Sequence, residues 1–128
     1  MKRVMMQAYV KNSKEAVAVY QNAFDAELGD HVRNKDGSYY HSELNVYGQI
    51  LSVAERSEGG EDITGNIMQF CLHFGDGEKA KVDQAYEVLK DGAVILVPLG
   101  PCDYCSYMVD LIDKFGIRWC LFLAEDES

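Results

Sequence analysis

Few side chains in this chain could carry chemistry, since its 128 residues hold only 3 histidines and 4 cysteines. His73 lies in Phe70-Cys71-Leu72-His73-Phe74, where strand alternation sets it with Cys71 on the face opposite the three apolar residues. An imidazole there suits a general base or a ligand donor, and equally a hydrogen-bonded structural role. Arg118 shares the parity of Cys120 and Phe122. A guanidinium so placed would hold an anionic or carbonyl-bearing ligand, or close a salt bridge with one of the many acidic groups. Cys102-Asp103-Tyr104-Cys105 is a C-x-x-C. In thioredoxin-like proteins that motif opens a helix whose N-terminus lowers a thiol pKa. Here it is expected in a loop between two strands after Pro98 and Gly100-Pro101, so two ordinary free thiols and a redox or metal-sensing pair both stay open. His41 and Glu43 share a face two residues apart, an arrangement most often found on a solvated strand surface. Tyr20 and Tyr86, at helical spacing, read as core or interface anchors.

Those residues need a scaffold, and the hydrophobic spacing supplies one. Val4–Val10 reads as a strand. Asn12 follows as a helix N-cap with Glu15 completing a capping box, and Ala16, Val17, Tyr20, Ala23 and Phe24 recur at helical spacing. Strands are expected over Glu27–Arg33, Tyr39–Val46 and Gln49–Ala54, with a turn at 34–38 and a tight one at Tyr47-Gly48. The polar, glycine-containing stretch 56–66 reads as a connection. The order then recurs: a strand over Ile67–Phe74, and a helix capped by Asp76 or Gly77 carrying Val82, Ala85, Tyr86 and Leu89. Gly92 ends that helix. Three strands follow, Ala93–Val97 stopped by Pro98, Ser106–Ile112 and Ile117–Leu123, with 124–128 expected to fray. Asn12 and Asp76, Val17 and Val82, Phe24 and Leu89, and Tyr47-Gly48 and Phe115-Gly116 match at offsets of 64 to 68. A near-constant offset in order points to a duplicated β-α-β-β-β module.

Composition narrows the class further. A hydrophobic fraction of 48% and a charged fraction of 26% are those of an ordinary folded domain. A formal net charge of -9 argues against a nucleic-acid or anionic-membrane partner, both of which need clustered Lys and Arg. Met1-Lys2-Arg3 leads straight into a strand-like segment without an apolar h-region, and no apolar run reaches the roughly 18–20 residues that span a bilayer. Four cysteines without a secretion signal read as free thiols, so a soluble, cytoplasmic protein is expected.

Alternation sorts the strand residues into two faces. Leu51, Val53, Phe70, Leu72, Phe74, Trp119 and Leu121 form an apolar set suited to packing under two helices. The other face carries Met5, Gln7, Tyr9, Ile50, Ser52, Ala54, Gln69, Cys71, His73, Arg118, Cys120 and Phe122. A mixed face is either solvated surface or the lining of a concave site. Tyr, Met, Phe and Cys favour the lining.

Two β-α-β-β-β modules with a mixed face resemble the vicinal-oxygen-chelate (glyoxalase/bleomycin-resistance/dioxygenase) superfamily. Within it the chain is most similar to the PhnB-like (demethylubiquinone-methyltransferase-like) branch. Glu15-Ala16-Val17 with Tyr20 and Phe24, the Pro98-Leu99 step, and Asp113-Lys114-Phe115-Gly116 followed by Trp119 carry that resemblance. It implies an α+β fold in which two βαβββ modules form a U-shaped eight-stranded mixed sheet with helices on the outer face. One domain over 1–128 is expected, with module one about 1–56, a connection about 57–66 and module two about 67–124. The resemblance also implies a homodimer and a small-molecule ligand in the cup, touched by Met5, Gln7, Tyr9, Ser52, Gln69, Cys71, His73, Arg118 and Cys120. Metal-dependent members of the superfamily place ligands at positions corresponding to Met5, Ser52, Gln69 and Cys120. A thioether, a hydroxyl, an amide and one thiol are a poor donor set for a divalent ion, so no metal and no cofactor are expected. Two other functions stay open: a lyase, isomerase or transferase using His73 with Arg118, and a thiol-based redox or metal-sensing protein using Cys102 and Cys105.

Overall fold

Each half of the chain builds the same small sheet with one helix against it. The computed structural model describes residues 1–57, 65 and 67–124. In chain order the elements are β1 (Met6–Val10), α1 (Ser13–Phe24), β2 (Glu27–Arg33), β3 (Tyr39–Val46), β4 (Gln49–Glu55), β5 (Phe70–Phe74), α2 (Lys79–Leu89), β6 (Val94–Cys102), β7 (Cys105–Ile112) and β8 (Arg118–Leu123). The strands are hydrogen-bonded as two four-stranded sheets, ordered β1-β4-β3-β2 and β5-β8-β7-β6. In each, the first strand pairs parallel with the last and the remaining pairs are antiparallel. Two mixed sheets of identical topology make this an α+β fold of two βαβββ modules. The chain divides into two compact units, Met1–Glu61 and Asp62–Ser128. Most of the connection expected over 57–66, and the tail beyond 124, lie outside the described residues.

The apolar spacing does what it should. In module one, Ala16, Val17, Tyr20, Ala23 and Phe24 of α1 are buried, as are Ala8, Val10, Leu44, Val46 and Val53 of the sheet it packs on. In module two, Val82, Ala85 and Leu89 of α2 are buried with Phe74, Val109, Leu111, Trp119 and Leu121. Val17 and Val82, Tyr20 and Ala85, and Phe24 and Leu89 hold equivalent buried positions at a constant offset of 65. The turn Tyr47-Gly48 has both residues at positive φ, 50° and 89°, as a two-residue hairpin turn between right-twisted strands requires.

Five local expectations are corrected. Asn12 precedes α1 but adopts a left-handed conformation, φ 62°, and its side chain caps no backbone amide. Its amide group instead donates to the Glu15 side chain at 2.9 Å, while Glu55 of β4 takes over the cap. The second helix begins after Glu78, since Asp76 and Gly77 lie in a turn with Gly77 at φ 79°. The Glu78 carboxylate accepts from the Gly75 amide and from Lys81. β6 does not stop at Pro98 but runs through Pro98 and Pro101 to Cys102. It is the sheet's edge strand and slips register three times against β7, so the missing proline N–H groups break no regular ladder. β5 starts at Phe70, which leaves Ile67 and Met68 exposed and Gln69 just ahead of the strand. β1 likewise starts at Met6, one residue after Met5.

Candidate functional site

On the face of the first sheet turned away from α1, pairing builds a row of polar side chains. Gln7 of β1 lies opposite Ser52 of β4, and Ser52 lies opposite Glu43 of β3. His41, two residues before Glu43, shares that face. Its Nε2 is 2.9 Å from Glu43 Oε2, and its Nδ1 is 2.9 Å from Gln7 Oε1. Arg3 reaches the same carboxylate from the N-terminal segment, at 3.0 and 3.1 Å to the two oxygens. Ser52 and Glu43 are buried, so the row has a floor shielded from water and a rim formed by Gln7 and Arg3.

Donor counting constrains this network. The Ser52 hydroxyl lies 2.8 Å from both the Ser42 carbonyl and Gln7 Oε1, yet it has one proton. A neutral His41 donating from Nε2 to Glu43 presents a bare Nδ1. The Gln7 amide must then turn its NH₂ toward Nδ1 and Ser52, and Ser52 donates to Ser42. With a doubly protonated His41 the Gln7 oxygen faces the ring and accepts. The Gln7 amide orientation and the His41 proton are therefore coupled.

The Glu43 carboxyl is held below its ordinary value of 4.5 by hydrogen bonds from His41 first and Arg3 second. Hydrogen bonding from Ser38 lowers Asp36, and Lys81 lowers Glu78. A carboxyl whose folded pKa is depressed contributes stability above the unfolded pKa and loses it as pH falls through the folded value. Thermal unfolding midpoints are therefore expected to be flat from about pH 7 to 5 and to fall below about pH 4.5. Glu43→Gln should shrink that acid-side fall. An unchanged fall in the variant would remove Glu43 from the account.

Beside this row is a depression of about 880 Å³, lined among others by Gln7, Tyr9, Tyr40, His41, Lys14 and Arg56. The pairing of β2 with β3 skips from Val32↔His41 to Arg33↔Tyr39, so Tyr40 is an extra, bulged residue. The bulge aims it outward, and Tyr9 and Tyr40 are 61% and 70% exposed. Tyr9 and Tyr40 thus set exposed ring area beside the hydrogen-bonding groups of Gln7 and His41.

The corresponding face of the second sheet is built on the same plan with different chemistry. Cys71, Cys120 and Asp110 occupy the row that Gln7, Ser52 and Glu43 occupy in module one. Asp110 accepts two bonds from Arg118, Nε to Oδ1 at 3.0 Å and Nη2 to Oδ2 at 2.7 Å. Gln69 Nε2 reaches the same carboxylate at 3.5 Å, and the Cys71 thiol donates to Gln69 Oε1 at 3.3 Å. Burial pushes the Cys120 thiol up to about 11. His73 stacks on Phe122 with centroids 4.6 Å apart, its Nε2 3.3 Å from the Ala124 carbonyl.

Of the residues singled out from sequence, Gln7, Tyr9 and Ser52 therefore share one face of module one. Cys71, His73, Arg118 and Cys120 share one face of module two, with Gln69 reaching onto it. Met5 lies ahead of its strand. His73 and Arg118 have separate partners: His73 is opposite Phe122, four residues along β8 from Arg118 and so on the order of 13 Å away. Sequence reasoning did not pick out Arg3 or Asp110, and it set His41 and Glu43 aside as solvated surface. One signal was available: Asp110 is the lone charge in the apolar run 107–112.

A divalent ion does not fit the positions that carry metal in metal-dependent members of the superfamily. The register sets Gln7, not Met5, opposite Ser52, and Cys71, not Gln69, opposite Cys120. The first set joins a thioether, a hydroxyl, an amide and one thiol, and the second an amide, a hydroxyl and two thiols; among the described residues no three His, Cys, Asp or Glu side chains are placed to hold a metal ion.

Neither a protein-family model nor a curated protein matches the chain. Solved structures match along nearly its whole length. Protein PA1353 from Pseudomonas aeruginosa superposes with a TM-score of 0.80 at 19% identity, covering 98% of this chain and 100% of that one. The PhnB protein from Bacillus cereus gives a TM-score of 0.78 at 22% identity, covering 97% and 100%. A variant of the fosfomycin resistance protein FosX from Listeria monocytogenes, complexed with Mn(II) and a dihydroxypropylphosphonic acid, gives 0.67 at 18% identity, covering 95% and 92%. Likeness at these identities establishes the fold: it is the glyoxalase fold shared by PhnB-like proteins and FosX.

Proposed function

We propose that this chain is a PhnB-like small-molecule-binding protein that holds its ligand against the open face of module one without the superfamily's metal. The observation that carries this reading is the continuous network Arg3–Glu43–His41–Gln7–Ser52 beside a depression walled by Tyr9 and Tyr40. An ordinary solvated strand surface has no reason to hold a buried carboxylate and hydroxyl in register next to a depression lined by two exposed phenols. Gln7 and His41 offer hydrogen bonds whose direction changes with the His41 proton, Lys14 and Arg56 line the same depression together with the carboxylates of Asp36 and Glu55, and the rings supply apolar area. The ligand class these groups favour is a small, flat, polar or anionic molecule. A homodimer belongs to the same proposal, and light scattering at twice the 14.4 kDa chain mass is its check. Among the described residues no helix is long and apolar enough to cross a membrane.

Screening a library of small aromatic acids and amides by amide chemical-shift mapping tests the reading. Perturbations are expected to centre on Gln7, Tyr9 and His41, with affinity reduced about tenfold by His41→Ala, the scale of one lost charge-assisted hydrogen bond. Hits that perturb only other surfaces, or that bind the His41→Ala chain equally well, would sink it.

A further inference from the structure

We propose that Cys102 and Cys105, opposed at the tip of the β6–β7 hairpin, form a redox-active dithiol that is oxidised to an internal disulfide by low-molecular-weight disulfides. The two cysteines were expected in a loop between strands. In the structure they are the last cross-strand pair, Cys102↔Cys105, joined by the two-residue turn Asp103-Tyr104. Directly opposed residues of antiparallel strands have Cα atoms about 4.5–5.5 Å apart, inside the roughly 4.4–6.8 Å window of a disulfide. That spacing is one a disulfide can span. Both residues are half-buried and stand at a turn, where an incoming disulfide can line up with a sulfur.

The two thiols differ in the way a nucleophile and a resolving thiol must. Burial works against a Cys102 thiolate, but the Cys105 thiol and the backbone amides of Tyr104 and Cys105 outweigh it and hold Cys102 below its ordinary value. Burial, then the neighbouring Cys102, pushes Cys105 up to about 11; its single S–H can face either the Tyr107 carbonyl, 3.8 Å away, or the Cys102 sulfur. The chain's other two cysteines also face each other, Cys71↔Cys120, but Cys120 is buried with its thiol pushed up to about 11. Cys120 is the only buried cysteine of the four, so the hairpin pair is the more accessible of the two.

The chemistry balances as thiol–disulfide exchange. Cys102 thiolate attacks one sulfur of the external disulfide; an S–S bond forms to Cys102 while the external S–S bond breaks, and the first small thiol leaves with one proton. Cys105, losing its proton, attacks Cys102 Sγ and expels the second small thiol, which takes that proton. The dithiol gives up two electrons, and one external disulfide becomes two thiols. Tyr104, in the turn between the cysteines, lies edge-on to Phe122 of β8 at 6.5 Å.

Oxidised glutathione at about pH 7 is the probe, with acid quenching, alkylation and mass measurement of the intact chain and of the 102–105 peptide. The wild-type chain is expected to release two glutathiones per internal bridge, mapped to Cys102–Cys105. Cys105→Ser should instead trap a stable glutathione adduct on Cys102. Cys102→Ser should slow first attack in the hairpin about tenfold or more. Cys71→Ser should bridge like wild type. A wild-type chain that stops at mixed disulfides, or equal hairpin reactivity in Cys102→Ser and Cys105→Ser, overturns the proposal.

Discussion

Asp113→Ala is expected to destabilise module two by about 3–4 kcal/mol. Asp113 is 4% exposed and its carboxylate anchors three donors. Oδ1 accepts from the backbone amides of Phe115 at 2.9 Å and Ile117 at 3.0 Å, and Oδ2 accepts from the Trp119 indole at 2.8 Å. The β7–β8 turn is thereby fixed to the buried ring at the start of β8. Truncation leaves a fully buried indole N–H and two turn amides without their acceptor, and each such loss costs about 1–3 kcal/mol before water relieves part of it. Asp113→Asn keeps one oxygen for the turn but sets an NH₂ against the indole, so about half the loss is expected. Trp119 is the only tryptophan, so its emission reports the local environment directly during urea unfolding. A double-mutant cycle of Asp113→Asn with Trp119→Phe should show a coupling of about 1 kcal/mol. Zero coupling would mean that the indole bond adds nothing to the turn.

Glu55→Ala is expected to cost module one about 2 kcal/mol and to fray the first turn of α1. Glu55 Oε2 accepts from the Asn12 amide at 3.0 Å. Its Oε1 accepts from the Ser13 amide at 2.9 Å and the Ser13 hydroxyl at 2.8 Å. A carboxylate at a helix N-terminus also interacts favourably with the helix dipole. The Ser13 oxygen in turn accepts from the buried Tyr39 amide at 2.9 Å, which ties α1 and β4 to the start of β3. Hydrogen exchange at the Asn12 and Ser13 amides should accelerate in Glu55→Ala, and Glu55→Gln, which keeps one acceptor, should fall between. Unchanged exchange in both variants would return the capping role to Asn12 and Glu15.

Those two carboxylates show where local sequence reasoning succeeds and where it fails. The Asp113-Lys114-Phe115-Gly116 motif with Trp119 was visible as a pattern, and its physical cause, one carboxylate serving a turn and a ring six residues away, follows from the turn it closes. Asn12 and Glu15 match the capping-box pattern equally well, yet the pattern misleads, because the acceptor comes from a residue 42 positions away in a parallel neighbour of β1. Pro98 misleads for a related reason. Proline ends a strand only where its amide is needed, and that depends on whether the strand lies at an edge.

The same division holds for the candidate site. Alternation alone put Gln7, Tyr9 and Ser52 on one face and Cys71, His73, Arg118 and Cys120 on another, because side-chain direction in a strand has a period of two residues. The apolar periodicity and the repeat offset likewise determined the two helices, the eight strands and the βαβββ order. Which residue of one strand meets which residue of the next was not determined locally, because register is a long-range property. Register alone brings His41 and Glu43 beside Gln7 and Ser52, brings Arg118 onto Asp110, and opposes Cys102 to Cys105. The sequence by itself thus determined the fold and the faces. The tertiary structure decided which polar groups on those faces are joined, since a hydrogen bond needs its partner within about 3 Å and only folding brings distant residues that close.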